Sequence, residues 1–292
     1  MKKTILAFLL LGSLSAFSQV RYSGFIDKYP IEFVSNSTSN SGDGVYAYKK
    51  FDIPIYLKAK MENGTLVFTE KDSDEKESAT FTFKNATVNL PLNKGIWKDL
   101  KTGKEFEIKL TKEFEFTDGK DSEWKNQEIL QTISTKNHYF KLVVEKQKES
   151  YYPTVSGIKI YTKKTDALYQ KLDFEGEFRG LNSIRKGDFN FDGFEDFSVF
   201  EASYAGPNTT SVYYLFDPKT STYFESEIAG VSLEFDAATK TITEHNQCCA
   251  GSQHTVAKYK LKNNKMVLVE EHCYKWDEKK QDLVEQKIEN CR

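Results

Sequence analysis

Oxygen-bearing side chains recur at alternate positions in the segment Asp188–Asp196, whose sequence is Asp-Phe-Asn-Phe-Asp-Gly-Phe-Glu-Asp. They occupy positions 1, 3, 5 and 9, and Gly193 at position 6 permits a sharp turn. Calcium takes about six to eight hard oxygen ligands, and alternate residues of a tight loop can direct theirs to one point. We therefore predict a structural calcium site. Its ligands are the side chains of Asp188, Asn190, Asp192 and Asp196 and the carbonyl oxygen of Phe194.

This segment differs from an EF-hand loop, because position 12 is Val199 where an EF-hand places a bidentate Glu. The residues that follow, Phe197 to Phe200, have the composition of a strand and not of a helix. The segment instead resembles the calcium loops of FG-GAP, or integrin α-type, β-propeller repeats. An acidic turn without a metal is the alternative interpretation.

A loop of small residues with one aromatic residue follows this segment, between Ala202 and Ser211. Tyr among Ser, Gly and Asn residues is typical of recognition loops, because Tyr provides rigid contact area that is both apolar and polar. We predict a partner-binding loop with Tyr204 at its tip. The other predicted contact residues are Ser203, Gly206 and Asn208. An ordinary hairpin connection is the alternative.

All four cysteines lie near the C-terminus, and an even number of them in an exported chain indicates two disulfides. A bridge between sequence neighbours is strained, so we expect Cys248 and Cys249 to bond to Cys273 and Cys291, in either order. Nearby histidines leave a zinc or copper site as an alternative.

Composition and motifs narrow the function. The net charge of −2 gives the chain no electrostatic reason to bind nucleic acid. A Gly-x-Ser-x-Gly elbow and a His-Glu-x-x-His motif are both missing. We therefore predict a protein that binds and does not catalyse, although an enzyme acting on glycans remains an alternative.

The first 18 residues have the three parts of a secretory signal peptide. Lys2 and Lys3 form the positive head, residues 4–14 are apolar, and Ala16 and Ser18 are small residues before a cleavage site at Gln19. The apolar run is too short to span a bilayer, which takes about 20 residues. With no lipobox cysteine at the cleavage site, we expect a periplasmic or secreted protein without a lipid anchor or a membrane span.

The rest of the chain reads as short strands separated by turns. Phe, Tyr and Trp make up 14% of the residues and favour half-buried strands, and Asn63-Gly64 is a strong hairpin signal. Strands recur about every ten residues, as in sandwiches, barrels and propellers. We predict an all-β protein. Residues 19–118 form an antiparallel meander, a barrel or a sandwich, and residues 119–292 form a β-propeller-like calcium-binding domain.

The second half of the chain resembles a family of periplasmic calcium-binding immunity proteins. The similarity is in Asp188–Asp196, Ser203-Tyr204-Ala205-Gly206, residues 213–218 and the cysteine-bearing tail. Members of that family protect bacteria from peptidoglycan-cutting effectors and are similar to periplasmic inhibitors of lysozyme. Residues 22–115 resemble a small β-module of secreted bacterial proteins.

Two functions are therefore compatible with the sequence. The resemblance implies a calcium-stabilised, propeller-like protein that inhibits a lysozyme-like partner in the cell envelope. The alternative is an FG-GAP-like adhesion or scaffold module of the envelope that has no inhibitory activity.

Overall fold

The computed structural model describes residues 18–37, 41–86 and 91–291, and nearly all of its regular structure is antiparallel β-sheet. The all-β prediction is therefore confirmed. The predicted signal peptide lies outside the described residues except for Ser18, which begins the first strand.

The first eight strands form a closed antiparallel barrel, which confirms one of the two predicted forms of the N-terminal meander. Strand β1 pairs with both β2 and β8 and so closes the sheet. Residues Asn63 and Gly64 form the predicted two-residue hairpin turn, with positive φ angles of 49° and 73°. The strands are β1 (Ser18–Ile26), β2 (Tyr29–Ser37), β3 (Ser41–Tyr48), β4 (Ile55–Glu62), β5 (Thr65–Lys71), β6 (Glu77–Lys84), β7 (Lys94–Asp99) and β8 (Glu105–Phe116).

Large apolar side chains fill the barrel, and they alternate along the strands with polar residues that face outwards. In β6, Ala79, Phe81 and Phe83 are buried while the residues between them are partly exposed. Phe33 packs against both Phe68 and Phe81, with ring centroids 5.3 Å and 6.2 Å apart. Aromatic residues of the first eight strands therefore form much of the barrel interior.

Three antiparallel sheets follow the barrel in chain order, each built mainly from neighbouring strands. The first contains β9 (Trp124–Ser134), β10 (His138–Lys146), β11 (Thr154–Thr162), β12 (Ala167–Leu172) and β13 (Gly176–Glu177). The second contains β14 (Ile184–Gly187), β15 (Asp196–Ser203), β16 (Thr209–Asp217) and β17 (Thr222–Glu225). The third contains β18 (Leu233–Asp236), β19 (Thr241–Cys248), β20 (Gln253–Lys262), β21 (Lys265–Asp277) and β22 (Asp282–Gln286).

The helical structure in the described residues consists of three short 3₁₀ turns, Gly180–Asn182, Cys249–Gly251 and Ile288–Cys291. Within the described ranges, the structure contains no helix that is long and apolar enough to cross a membrane.

The barrel packs directly against the sheets that follow it. Val34, Val45 and Ala47 of the barrel belong to the same buried cluster as Phe140 of the first sheet and Phe197 of the second. Polar contacts cross the same boundary: Arg21 donates to the carbonyl oxygen of Glu128 at 2.6 Å, and Lys141 forms an ion pair with Glu32 at 2.6 Å. This shared core fixes the barrel beside the first sheet.

Candidate functional site

The predicted calcium loop connects β14 to β15, at one end of the second sheet. Gly193 has a φ of +91°, which is the left-handed conformation that glycine adopts at low cost, and Phe191 also has a positive φ of 62°. Lys240 donates to the carbonyl oxygen of Phe191 at 3.2 Å. The backbone therefore makes the sharp turn that the sequence predicted.

The acidic and amide side chains of this loop accept hydrogen bonds from its own backbone. Asp188 accepts from the N–H groups of Asp192 and Gly193, at 3.0 and 2.9 Å. Asp192 accepts from the N–H of Phe194 at 2.9 Å and from the side-chain amide of Asn190 at 2.8 Å. These bonds hold three of the predicted ligands on the inside of one turn.

Asp196 is fully buried at the end of the loop, where its carboxylate accepts from the N–H groups of Phe189 (2.8 Å) and Phe216 (2.9 Å). The pKa of Asp196 is raised to about 6, mainly by burial; the nearby Asp192 and Asp188 carboxylates also raise it, and the two N–H donors lower it. None of the three aspartates forms an ion pair with a lysine or arginine within the described part of the chain. The three aspartates therefore lack a direct ion pair among the described residues, while Glu195 of the same loop is paired with Lys186 and the Lys240 ammonium contacts the loop backbone.

The donor chemistry of the loop fits a hard cation. A carboxylate offers about four lone pairs, so an oxygen that accepts an N–H can also contact an ion. Among the described residues, no group of three or more Asp, Glu, His or Cys side chains is clustered closely enough to hold a metal ion. Binding calcium would therefore require the loop carboxylates to turn towards a common centre.

The predicted partner loop joins β15 to β16 as a tight hairpin, in which the N–H of Tyr204 donates to the carbonyl oxygen of Asn208 at 2.9 Å. The Tyr204 side chain is 56% exposed. Gly206 is also exposed, with a φ of +75°. The structure thus leaves Tyr204 accessible at the turn.

Asn208 was predicted to contact a partner, but its side chain points into the protein. It is buried, its side-chain amide donates to the carbonyl oxygen of Gln247 at 2.7 Å, and its side-chain oxygen accepts from the N–H of Gln247 at 3.0 Å. A residue that makes these bonds inside the protein is not available to a partner. The sequence did not reveal this because Gln247 lies in another sheet.

Two residues that the sequence did not single out contact the base of the same loop. The Arg179 guanidinium lies 4.0 Å from the centroid of the Phe200 ring and donates to the hydroxyl of Ser203 at 2.7 Å. The Glu177 carboxylate accepts from the N–H of Ser203 at 3.3 Å. Ser203 is therefore held by neighbouring side chains. Its place next to Tyr204 is all that supports a role in contacting a partner.

The calcium loop and the Tyr204 loop lie at opposite ends of β15. That strand has eight residues, which corresponds to a separation of about 23 Å along the strand. An ion bound at Asp196 would therefore not touch the base of the Tyr204 loop. Asn208, Glu177 and Arg179 hold that loop instead.

The predicted cysteine pairing is wrong. Cys273 is bonded to Cys291, and Cys248 and Cys249 are free, exposed and adjacent, with sulfur atoms 2.7 Å apart. Strand β20 lies between β19, which ends at Cys248, and β21, which contains Cys273. Two strand spacings amount to about 10 Å, beyond the Cα separation of about 7 Å that a disulfide can bridge.

The histidines near the cysteines have separate partners. His254 contacts the amide of Gln247 at 2.7 Å, and His272 contacts Glu285 at 2.7 Å. His245 lies 3.5 Å from Glu234. Within the described residues, these side chains are therefore not clustered in the way that the alternative zinc or copper site would require.

No known protein family matches this chain, and no curated protein matches it. Among solved structures, it is similar to a Xanthomonas type IV secretion system related protein, at 17% identity and a TM-score of 0.36, over 59% of this chain and 98% of that one. It is also similar to oligogalacturonate lyase from Vibrio parahaemolyticus, at 12% identity and a TM-score of 0.18, over 90% of this chain and 88% of that one. Structural similarity this low supports no conclusion about function.

Proposed function

We propose that this protein is an exported, calcium-stabilised binding protein that inhibits a lysozyme-like, peptidoglycan-cleaving enzyme in the cell envelope. It acts by occupying its partner's cleft and catalyses no reaction. The observation that carries this proposal is the exposed Tyr204 side chain on a short hairpin whose base is fixed by Asn208.

A fixed loop with one exposed aromatic residue suits insertion into an enzyme cleft. Each rotamer-rich side chain that is immobilised on binding costs about 0.5–1.5 kcal/mol, and a loop already held in place avoids part of that cost. An aromatic anchor that becomes buried at the centre of an interface commonly costs at least about 2 kcal/mol when it is truncated. Tyr204 has the size and the polar tip of such an anchor.

The proposed calcium ion stabilises the second sheet from the other end of β15. Its ligands would be the side chains of Asp188, Asn190, Asp192 and Asp196 and the carbonyl oxygen of Phe194. The negative charge of this loop supports the assignment, because a bound divalent cation would neutralise it. We also propose that the three successive sheets are arranged like propeller blades, in keeping with the resemblance of this loop to FG-GAP repeats.

Inhibition is tested with a muramidase assay against lysozymes of several types, comparing the unmodified protein with Tyr204→Ala. The Phe51→Ala variant is the control, because Phe51 is 62% exposed and lies in a barrel turn. We expect inhibition of at least one lysozyme type, reduced about thirtyfold by Tyr204→Ala and unchanged by Phe51→Ala. Absence of inhibition and of binding across the lysozymes would rule out the proposal.

Calcium binding is tested by thermal unfolding in calcium and in a chelator. A ligand that binds only the folded state raises the free energy of unfolding by about 2.7 kcal/mol at a concentration one hundred times its dissociation constant. We expect calcium to raise the melting temperature of the unmodified protein and not that of Asp192→Ala. Identical melting curves with and without calcium would refute the assignment of this loop.

A further inference from the structure

A cleft lies where the open end of the barrel meets the first sheet. Its volume is about 650 Å³, within the range of about 300–1,000 Å³ that is usual for small-molecule sites. Barrel residues form one side of it, and the turn between β10 and β11 forms the other. Lining residues include Gln19, Asn36, Asp118, Tyr151, Tyr152 and Arg179.

Two adjacent tyrosines on the β10–β11 turn present their rings at this cleft. Tyr151 is 49% exposed and Tyr152 is 68% exposed, and their ring centroids are 5.0 Å apart in an edge-to-face arrangement. An exposed pair beside a cleft offers apolar ring surface together with two hydroxyl groups.

A buried lysine holds this turn in its conformation. Lys146 has no exposed surface, and its ammonium donates to the carbonyl oxygens of Ser122 (3.2 Å), Gln147 (3.0 Å) and Ser150. A charge is buried at this depth only when hydrogen bonds compensate for its lost hydration. The turn that Lys146 organises contains both tyrosines.

The backbone of the tyrosines is itself bonded. The carbonyl oxygen of Tyr151 accepts from the N–H of Gly119 at 3.1 Å, and that of Tyr152 accepts from the hydroxyl of Ser150 at 2.8 Å. The two rings are therefore displayed by a turn that is ordered before any ligand arrives, which lowers the entropic cost of binding.

The opposite side of the cleft has polar atoms that lack partners. The side-chain oxygens of Gln19 and Asn36 are buried and have no hydrogen-bond partner within the described part of the chain. Leaving such an atom unpaired costs about 1–3 kcal/mol, and a side-chain rotation that turned either oxygen into the cleft would let a ligand hydroxyl donate to it. Asp118 and Glu177 add carboxylate acceptors, and Arg179 adds a guanidinium.

We propose that this cleft binds a neutral oligosaccharide. Sugar rings have apolar C–H faces, which pack on tyrosine rings, and peripheral hydroxyls, which donate to amide and carboxylate oxygens. The Asp118 and Glu177 carboxylates balance the charges of Arg179 and the buried Lys146, so the cleft offers no net positive charge that would attract an acidic sugar. This binding activity is separate from the proposed inhibition through Tyr204, although Glu177 and Arg179 line the cleft and also contact Ser203 at the base of the Tyr204 loop.

Isothermal titration with linear tetrasaccharides tests the proposal. The neutral probes are cellotetraose and tetra-N-acetylchitotetraose, and the acidic probe is tetragalacturonate. We expect at least one neutral probe to bind with a dissociation constant of about 1 mM or lower. The double variant Tyr151→Ala/Tyr152→Ala should weaken that binding about thirtyfold, and Phe51→Ala should leave it unchanged.

Stability and inhibition assays separate this proposal from the previous one. Because both tyrosines are exposed, the double variant should melt at the temperature of the unmodified protein and retain any lysozyme inhibition. Tyr204→Ala should retain saccharide binding. The proposal is overturned if neither neutral probe binds, if the double variant binds as well as the unmodified protein, or if tetragalacturonate binds more tightly than both neutral probes.

Discussion

Asn208 and Tyr204 occupy the same hairpin, and the structure predicts opposite results when each is replaced by alanine. Asn208→Ala removes the hydrogen bonds to the carbonyl oxygen and the N–H of Gln247, and a weaker bond of 3.2 Å to exposed Asn246. Tyr204→Ala removes a side chain that is 56% exposed. The first substitution should affect folding and the second should affect only binding.

The expected loss of stability in Asn208→Ala follows from these contacts. Each of the two bonds to Gln247 is worth about 1 kcal/mol, and the bond to exposed Asn246 adds little. Asn208→Ala should therefore lower the free energy of unfolding by about 2 kcal/mol. For a protein of this size, that corresponds to a drop in melting temperature of about 3–4 °C.

Differential scanning calorimetry of the two variants beside the unmodified protein measures this difference. Tyr204→Ala is the matched control, since it lies in the same loop and should melt within about 1 °C of the unmodified protein. If Asn208→Ala melted at the unmodified temperature while Tyr204→Ala unfolded early, our assignment of the anchor and the exposed tip would be reversed.

Three further outcomes concern a buried histidine, the free cysteines and two glycines. Burial, with a smaller contribution from Lys163, lowers the pKa of His138 below 6.5. The unfolded chain therefore takes up a proton first as the pH falls below 6.5, so denaturant titrations should show stability falling in that window, and His138→Gln should remove this part of the fall. Thiol titration of unfolded, unreduced protein should find two thiols, Cys248 and Cys249, and a count of zero or four would contradict the single bridge. Gly24→Ala would force a Cβ into the carbonyl oxygen of Lys109 on β8 and should cost about 3 kcal/mol by chemical denaturation, whereas Gly64→Ala, which meets no neighbour, should cost about 1 kcal/mol for its positive φ.

Local sequence signals predicted several elements of this fold. The alternation at Phe81 and Phe83 predicts a strand with one buried face, because side chains of a strand point alternately to its two sides. Asn63-Gly64 predicts the hairpin turn, because both residues tolerate a positive φ. The turn at Gly193 follows from spacing within nine residues in the same way.

The features that the sequence left open depend on residues far apart in the chain. Closure of the barrel requires β1 to meet β8, and the cysteine pairing depends on β20 lying between β19 and β21. Asn208 changes from a predicted contact to an anchor only because Gln247 lies beside it. The sequence by itself determined the strands, the turns and the ligand spacing of the acidic loop, because these depend on neighbouring residues. Only the tertiary structure decided which side chains are buried, bonded or exposed at one surface, because packing between distant strands sets those positions.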